Sequence, residues 1–360
     1  MRAQVQENHG EPIVSRERPE PVAAPGEVVL NVLAAGLNHL DLWLQQGDTG
    51  DSLSLPRVPG TDVLGEVIAL GEGVAADLLG ERVLVYPGRS CGTCDFCQAG
   101  HPSACRRFEI MGYSYDGGYA EQIAVPAGSV VSVGADAPLS WAAVPVSYIT
   151  AWNALVVKGG LTAGKVAVIW GATGGLGNAA VKIAEALGAH VVAIVGSEEK
   201  ALWLSSSGFS GDILVRGDDL VKRVRAVTGG RGVDLVLDHV GSATWNDSLR
   251  MLAVRGHLAF CGVTTGYSVE TDLRQIFGKQ LTIAGTWIGD PADLEAVVSL
   301  LQKHPEALPV VQNSFTLDDA AAAQETLADP SGNGKTILRC QAQDAFAPAF
   351  ATAKEFRRDG

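Results

Sequence analysis

No apolar run in this chain approaches the ~20 residues that a membrane-spanning helix requires. The N-terminus carries Arg2, Glu7 and Glu11 where a secretory leader would have its apolar core, so a cytoplasmic protein is expected. Positive charge is also scarce: 27 Lys and Arg stand against 40 Asp and Glu, a formal net charge of −13. Binding a phosphate backbone requires a basic face, so nucleic acid is not an expected partner. The cluster Lys222, Arg223 and Arg225 reads as a solvated helix face. Only six cysteines occur, and four of them crowd into one short stretch, which excludes a disulfide framework distributed through the chain. No Ser-His-Asp or Cys-His arrangement has a spacing that would support nucleophilic catalysis.

What is present organises itself around Val166–Leu187. Val166 to Trp170 is wholly apolar, as in a strand buried on both faces of a parallel sheet. It runs into Gly171-Ala172-Thr173-Gly174-Gly175-Leu176-Gly177, and then into a helical pattern with Ala180, Val181, Ala184 and Leu187 on one face. Strand, glycine turn and helix form a cradle for a dinucleotide. The glycines let the backbone approach a pyrophosphate, and the helix N-terminus offers free N–H groups and partial positive charge. Further strands are expected at His190–Val195, Asp212–Val215, Val233–Asp238, His257–Cys261 and Leu281–Thr286. Helices at Glu198–Ser206, Asp218–Thr228, Ala243–Val254 and Leu273–Phe277 alternate with them, which predicts a doubly wound parallel sheet.

At 360 residues a second domain is expected. Residues 1 to about 148 are punctuated by glycine and proline, with short β-type runs at Glu27–Leu33, Asp62–Ala69, Arg82–Tyr86 and Tyr119–Val125. Within them lies Cys91-x2-Cys94-x2-Cys97-x7-Cys105. Four thiolates so spaced can close a tetrahedral structural zinc site, one ion per chain, that braces a loop and leaves no open position for chemistry.

A β domain with a four-cysteine lobe, followed by a glycine-turn α/β domain, resembles the medium-chain dehydrogenase/reductase superfamily. Zinc alcohol dehydrogenases and quinone oxidoreductases both belong to it. The matching segments are AAGLNHLDLWLQQG, VPGTDVLGEV, DGGYAEQIAVP and GKTIL. The resemblance implies an α/β fold: a GroES-like, mostly β catalytic domain (1–148 and 288–340) and a Rossmann doubly wound domain (149–287). The tail at 341–360 exceeds the family pattern and has the composition of a frayed helix or a disordered end. The return segment should contain helices at Leu294–Leu301 and Ala320–Leu327 and a strand through VVQNSF. The family often pairs through an edge of the cofactor sheet, which implies a homodimer or homotetramer.

The departures from that resemblance bear on chemistry. The three positions that hold a catalytic zinc in the alcohol dehydrogenases fall at Asn38, Thr61 and near Val146, none a first-choice zinc ligand. Leu40 stands where those enzymes carry a proton-relaying hydroxyl. His39 and Asp62 could rebuild a metal site only if neighbouring backbone positions pointed the same way. At the end of the second strand an NAD-binding fold places Asp or Glu, whereas this chain has Val195-Gly196-Ser197 and then Lys200. The GSxxK pattern resembles NADP-using quinone oxidoreductases, with Ser197 and Lys200 donating to a 2′-phosphate and Glu198 and Glu199 turned away. By resemblance, Thr150, Thr173, His239, Val240, Cys261, Gly262 and Lys335 also approach the cofactor.

The expectation is an NADPH-dependent reductase that adds hydride to an enone, enoyl or quinone-like substrate without a catalytic metal. The enolate oxygen would be stabilised by donors among Asn38, Thr61, Tyr113 and Tyr148. Tyr113, beside Ser114, either protonates the enolate carbon or walls the pocket. Asp41 and Asp62 would orient neighbours. Two alternatives stay open: a carbonyl reductase or alcohol dehydrogenase of the zinc type, and a nicotinamide-binding protein without catalysis.

Overall fold

A computed structural model of the chain describes residues 1–47, 53–329 and 331–341. The tail beyond Gln341 and positions 48–52 of the pocket loop Leu44–Pro56 lie outside the described residues. Among the described residues, no helix is long and apolar enough to cross a membrane.

The cofactor half is a six-stranded, all-parallel sheet. Its strands run in the order Asp212–Val215, His190–Val195, Val166–Ile169, Val233–Asp238, Leu252–Phe260, Thr282–Gly285. Chain order reverses between the strand before the glycine turn and Val233–Asp238, and the crevice at that switch point is where doubly wound sheets bind ligands. The apolar runs explain the placement: Ala167, Val168, Ile169, Leu235, Val236 and Leu237 are all fully buried. Side chains of alternate parity feed two different cores, one on each face of the sheet.

The other half is a seven-stranded sheet, mostly antiparallel. Its centre is Glu27–Gly36, flanked by Asp62–Leu70 and by the returning strand Lys335–Arg339. Register puts Gly36 opposite Asp62 and Gly36 opposite Ile337. Residues 37–38, 61–62 and 335–336 therefore emerge at the same end of the sheet, although they come from three distant parts of the chain.

A helix at Pro145–Trp152 straddles the expected boundary at residue 148, and a π-helical stretch, Asn153–Lys158, continues it. Pro145 opens the helix, where its missing N–H costs nothing. Its residues Tyr148, Ile149 and Ala151 join a core that also takes in Leu33 and Leu64 from one half and Ala180, Ile183 and Leu237 from the other. The helix Pro291–Lys303 covers this junction, with Leu294, Val297, Val298 and Leu301 turned inward.

Most elements stand where the sequence places them, with two differences. The helix expected over Ala243–Val254 ends at Met251, and the next strand begins directly at Leu252 rather than at His257. Leu252 pairs with Val233, Arg255 takes φ 63°, and the register shifts between Val233 and Leu235. An apolar helix end and an apolar strand start merge in sequence, so the pattern alone read them as one helix. The strand expected at Tyr119–Val125 forms only over Gln122–Pro126. Tyr119 sits outside it, fully buried against Gly60.

Candidate active site

The glycine turn is built as the sequence requires. Gly171 has φ 56°, a left-handed conformation that disfavours other residues. A Cβ on Gly177 would lie 2.1 Å from the Gly171 carbonyl oxygen, so the helix Gly175–Ala186 can approach the turn only without a side chain there. No side chain caps this helix, and its first N–H groups remain for an anion. Thr173 is buried, and its carbonyl accepts from the Gly334 N–H at 2.7 Å, tying the turn to the returning segment. Leu176 is half-buried beside the turn.

On the far side of the crevice, His239 roofs Gly171 so closely that a Cβ there would stand 3.0 Å from its Cε1, tighter than an ordinary van der Waals contact. Its Nε2 lies 2.8 Å from the Trp170 carbonyl oxygen. A carbonyl can only accept, so Nε2 carries the proton and Nδ1 keeps a lone pair. Burial holds this histidine below the usual range despite the hydrogen bond to Trp170, and it stays neutral at pH 7. Asp238 fixes the turn that follows. Its Oδ1 accepts from Val240 N, Gly241 N and the Thr244 hydroxyl, and its Oδ2 accepts from Ser248, which in turn accepts from the Trp170 indole. Gly262 packs so closely on the His239 carbonyl that a Cβ would stand 2.4 Å from its oxygen. Cys261 follows directly on the strand that ends at Phe260, and burial pushes its thiol up to about 12, which removes it as a nucleophile at neutral pH.

Ser197 is the N-cap of helix Glu198–Ser206, and its Oγ accepts from the Lys200 N–H at 3.3 Å. Glu198 and Glu199 are exposed in the first turn, where the helix dipole favours them. The Lys200 charge reaches Asp329, whose carboxyl is held low first by Ser331 and last by Lys200.

The end of the β domain supplies the other wall. Lys335, almost fully buried, donates to the Leu37 carbonyl oxygen at 2.7 Å, to Asn38 Oδ1 at 2.7 Å and to Asp62 Oδ2 at 3.1 Å. Its stem lies over the glycine turn: a Cβ on Gly175 would meet Lys335 Cδ at 2.8 Å. Asp62 is wholly buried, and its other oxygen accepts the Val146 N–H at 2.7 Å, at the start of the helix that crosses between the halves. One ion pair thus touches Asn38 directly, binds the backbone at Val146 and adjoins Thr61. Thr61 is fully buried, and its Oγ1 has no partner among the described residues; Asn38 Nδ2 is likewise shielded and without one among them. His39, one residue on, is pushed below the usual histidine range by removal from water and then by the neighbouring Lys335 and His239. The resemblance offers it only as a metal ligand; in the structure it is exposed at the start of the helix His39–Gln46, within electrostatic reach of Lys335 and His239.

Tyr113 and Ser114 line a cavity of about 440 Å³ together with Leu53, Phe108, Ile110 and Trp287. Tyr148 requires a correction. It is fully buried in the shared core, and its hydroxyl donates to the Ala307 carbonyl at 2.6 Å. Its single proton is spent, and burial raises its pKa well above the ordinary value, so it is not a donor for substrate. Thr150, two residues along the same helix, is also buried. Both Asp62 oxygens are engaged by Lys335 and the Val146 N–H, and Asp62 and His39 have no third ligand close enough to complete a metal site among the described residues. Among the described residues, only Cys91, Cys94, Cys97 and Cys105 group closely enough to hold an ion, with all ligand atoms within 4.8 Å of one another. The N–H groups of Cys94, Cys91 and Arg107 point at the sulfurs of Cys91, Cys105 and Cys105. Backbone N–H groups at Thr93 and Cys94 push the Cys91 thiol down to about 5. Sulfurs so arranged are ready to ligate as thiolates. The lobe rests on the start of helix Pro291–Lys303, where Asp290 accepts from Ser103 N at 2.9 Å.

A GroES-like β domain joined to a doubly wound sheet, with a glycine turn at the crevice between them, defines a class of two-domain oxidoreductases. Residues 24–135 match the alcohol dehydrogenase GroES-like domain, and residues 175–303 match the zinc-binding dehydrogenase family. The chain is 31% identical over 345 residues to an acryloyl-coenzyme A reductase of Metallosphaera sedula, covering 94% of this chain and 99% of that protein. It is 28% identical over 351 residues to an NAD-dependent alcohol dehydrogenase of Sulfolobus acidocaldarius, with the same coverage. A crystal structure of an NAD-dependent alcohol dehydrogenase superposes with a TM-score of 0.88 at 33% identity, over 94% of this chain and 99% of that one. The chain belongs to the medium-chain dehydrogenase/reductase superfamily and is an oxidoreductase of that family.

Proposed function

We propose that this protein is an NADPH-dependent reductase of a carbon–carbon double bond conjugated to a carbonyl, with an enoyl thioester or related enone as substrate. The observation that carries this reading is the donor set in the cleft. Where zinc ligands would stand in an alcohol dehydrogenase, the chain has Asn38, Thr61 and Val146, gathered around the Lys335–Asp62 ion pair. Of that set Asn38 and Thr61 keep unspent N–H and O–H donors, and none of the three offers a thiolate or imidazole ligand. Such donors suit the charge on an enolate oxygen, whereas reducing an isolated carbonyl normally draws several kcal/mol from a metal. The similarity to an acryloyl-coenzyme A reductase supports the same class of substrate.

A nicotinamide dinucleotide held at Gly171–Gly177 would supply hydride to the β-carbon, and the α-carbon of the enolate so formed would take its proton from Tyr113 or from water. Asn38 and Thr61 would donate to the oxygen on which charge develops. The cavity lined by Phe108, Ile110, Tyr113 and Trp287, with Ser54, Glu109 and Ser114 also on its wall, would receive the acyl part. Ser197 and Lys200, with no carboxylate at the end of His190–Val195, favour the 2′-phosphate form of the cofactor. The four-cysteine lobe would hold one zinc ion as a brace.

The alcohol dehydrogenase relatives support a second reading, oxidation of an alcohol with NAD. Assays with NADPH and NADH against enoyl thioesters, enones and quinones, beside alcohols with NAD(P)⁺, separate the two. The first reading expects alkene reduction; exclusive alcohol turnover would overturn it.

A further inference from the structure

The ammonium of Lys335 has no acceptor, so the Asn38 atom 2.7 Å from it must be the amide oxygen. That contact fixes the amide plane. With the oxygen on Lys335, Nδ2 faces the opposite way, shielded from solvent and with both hydrogens unspent. A buried N–H without a partner carries an uncompensated loss of hydration, which a bound acceptor would recover. Lys335 also polarises the amide, because hydrogen bonding to a cation draws charge from the group and strengthens its N–H donors. Its remaining bonds, to the Leu37 carbonyl and to Asp62, hold the ammonium in place. The stem of the same side chain lies on Gly175, so a single lysine separates the polarised amide from the cofactor cradle.

We propose that Lys335 is a positioning residue for the reduction: it locks Asn38 so that Nδ2 is a preorganised donor for the carbonyl oxygen of the substrate. This rests on the reductase reading above. A lysine that instead anchored the cofactor phosphates would show itself in cofactor affinity.

The test compares the full-length wild type with Lys335→Met, Lys335→Arg and Asn38→Asp. Asn38→Asp keeps an oxygen for Lys335 and removes the N–H donors. At saturating NADPH, Lys335→Met and Asn38→Asp each lower kcat on an enoyl thioester by on the order of a hundredfold. The cofactor Kd, read from tryptophan fluorescence, stays within about threefold. Lys335→Arg recovers part of kcat, and the double variant is little worse than either single one, because the two residues act as a unit. Independently of turnover, selective ¹⁵N-asparagine labelling identifies the Asn38 side-chain amide by its loss in Asn38→Asp. That signal is displaced in Lys335→Met. Should Lys335→Met fail to fold, Asn38→Asp and Lys335→Arg carry the comparison. Loss of cofactor affinity with unchanged kcat, or an undisturbed Asn38 signal in Lys335→Met, overturns the proposal. Absence of wild-type turnover on every activated alkene overturns the reductase reading instead, and the amide signal then decides the clasp by itself.

Discussion

Tyr119 donates its hydroxyl to Oδ2 of Asp41 at 2.7 Å, both residues being wholly buried, with Asp41 in the first turn of the helix that Asn38 caps. The same carboxyl oxygen accepts the Asn38 N–H at 2.8 Å, while Oδ1 has no partner among the described residues. Burial outweighs these bonds and raises the Asp41 pKa to about 6. A carboxyl whose pKa is raised on folding binds its proton more tightly in the native state, so its contribution to stability falls as pH rises from about 4 to about 6. Above pH 6 the full cost of a buried carboxylate is present. Asp41→Asn removes this dependence. Urea melts at pH 4.5 and 7 should show the wild type losing stability relative to Asp41→Asn as pH rises; parallel curves would contradict the assignment.

Tyr148→Phe separates packing from catalysis. The variant loses the bond to the Ala307 carbonyl and about 1–2 kcal/mol of stability, while kcat on an activated alkene stays near the wild-type value. A fall in kcat without a fall in melting temperature would restore Tyr148 to the donor set.

Lys200→Ala is expected to weaken NADPH binding by on the order of tenfold to a hundredfold, because a charge-assisted bond to the 2′-phosphate is lost. NADH binding changes little. Ser197→Asp, which can still cap its helix, should reverse the preference by repelling the phosphate and accepting from a ribose hydroxyl. Isothermal titration with both cofactors reads the ratio, and an unchanged ratio in both variants would count against NADPH.

Metal analysis should return one zinc per chain, lost in Cys94→Ser. Without the ion the lobe from Cys91 to Cys105 loses its cross-link and becomes the first site of proteolytic cleavage. Two zinc ions per chain would instead favour the metal-dependent alcohol dehydrogenase reading.

Gly177→Ala places a methyl group 2.1 Å from the Gly171 carbonyl oxygen, so the turn or the helix must move. Cofactor affinity and melting temperature should fall together. A variant that folds normally and binds cofactor as tightly as wild type would mean that the cradle lies elsewhere.

The parallel sheet was legible because its strands are buried on both faces and bounded by glycine, so Val166–Ile169, His190–Val195 and Val233–Asp238 stand out as apolar runs. Two helices that shape the cleft were not read, although each left a local sign. His39–Gln46 starts from Asn38 with Asp41 three residues on, a capping pattern too short to outweigh the surrounding β-type sequence. Pro145–Trp152 opens with proline at its first position. The cleft was harder still. Lys335 meets Leu37, Asn38 and Asp62 across nearly the whole chain, and only the register around Gly36 brings them together. Nothing in the spacing of Tyr148 discloses that a carbonyl at Ala307 has claimed its proton.

The helix at Pro145–Trp152 has a mechanical consequence. The two halves share it, and they meet again where the Gly334 N–H binds the Thr173 carbonyl and the Lys335 stem lies over Gly175. A displacement of one half on the other therefore disturbs the glycine turn and the lysine that holds Asn38 together.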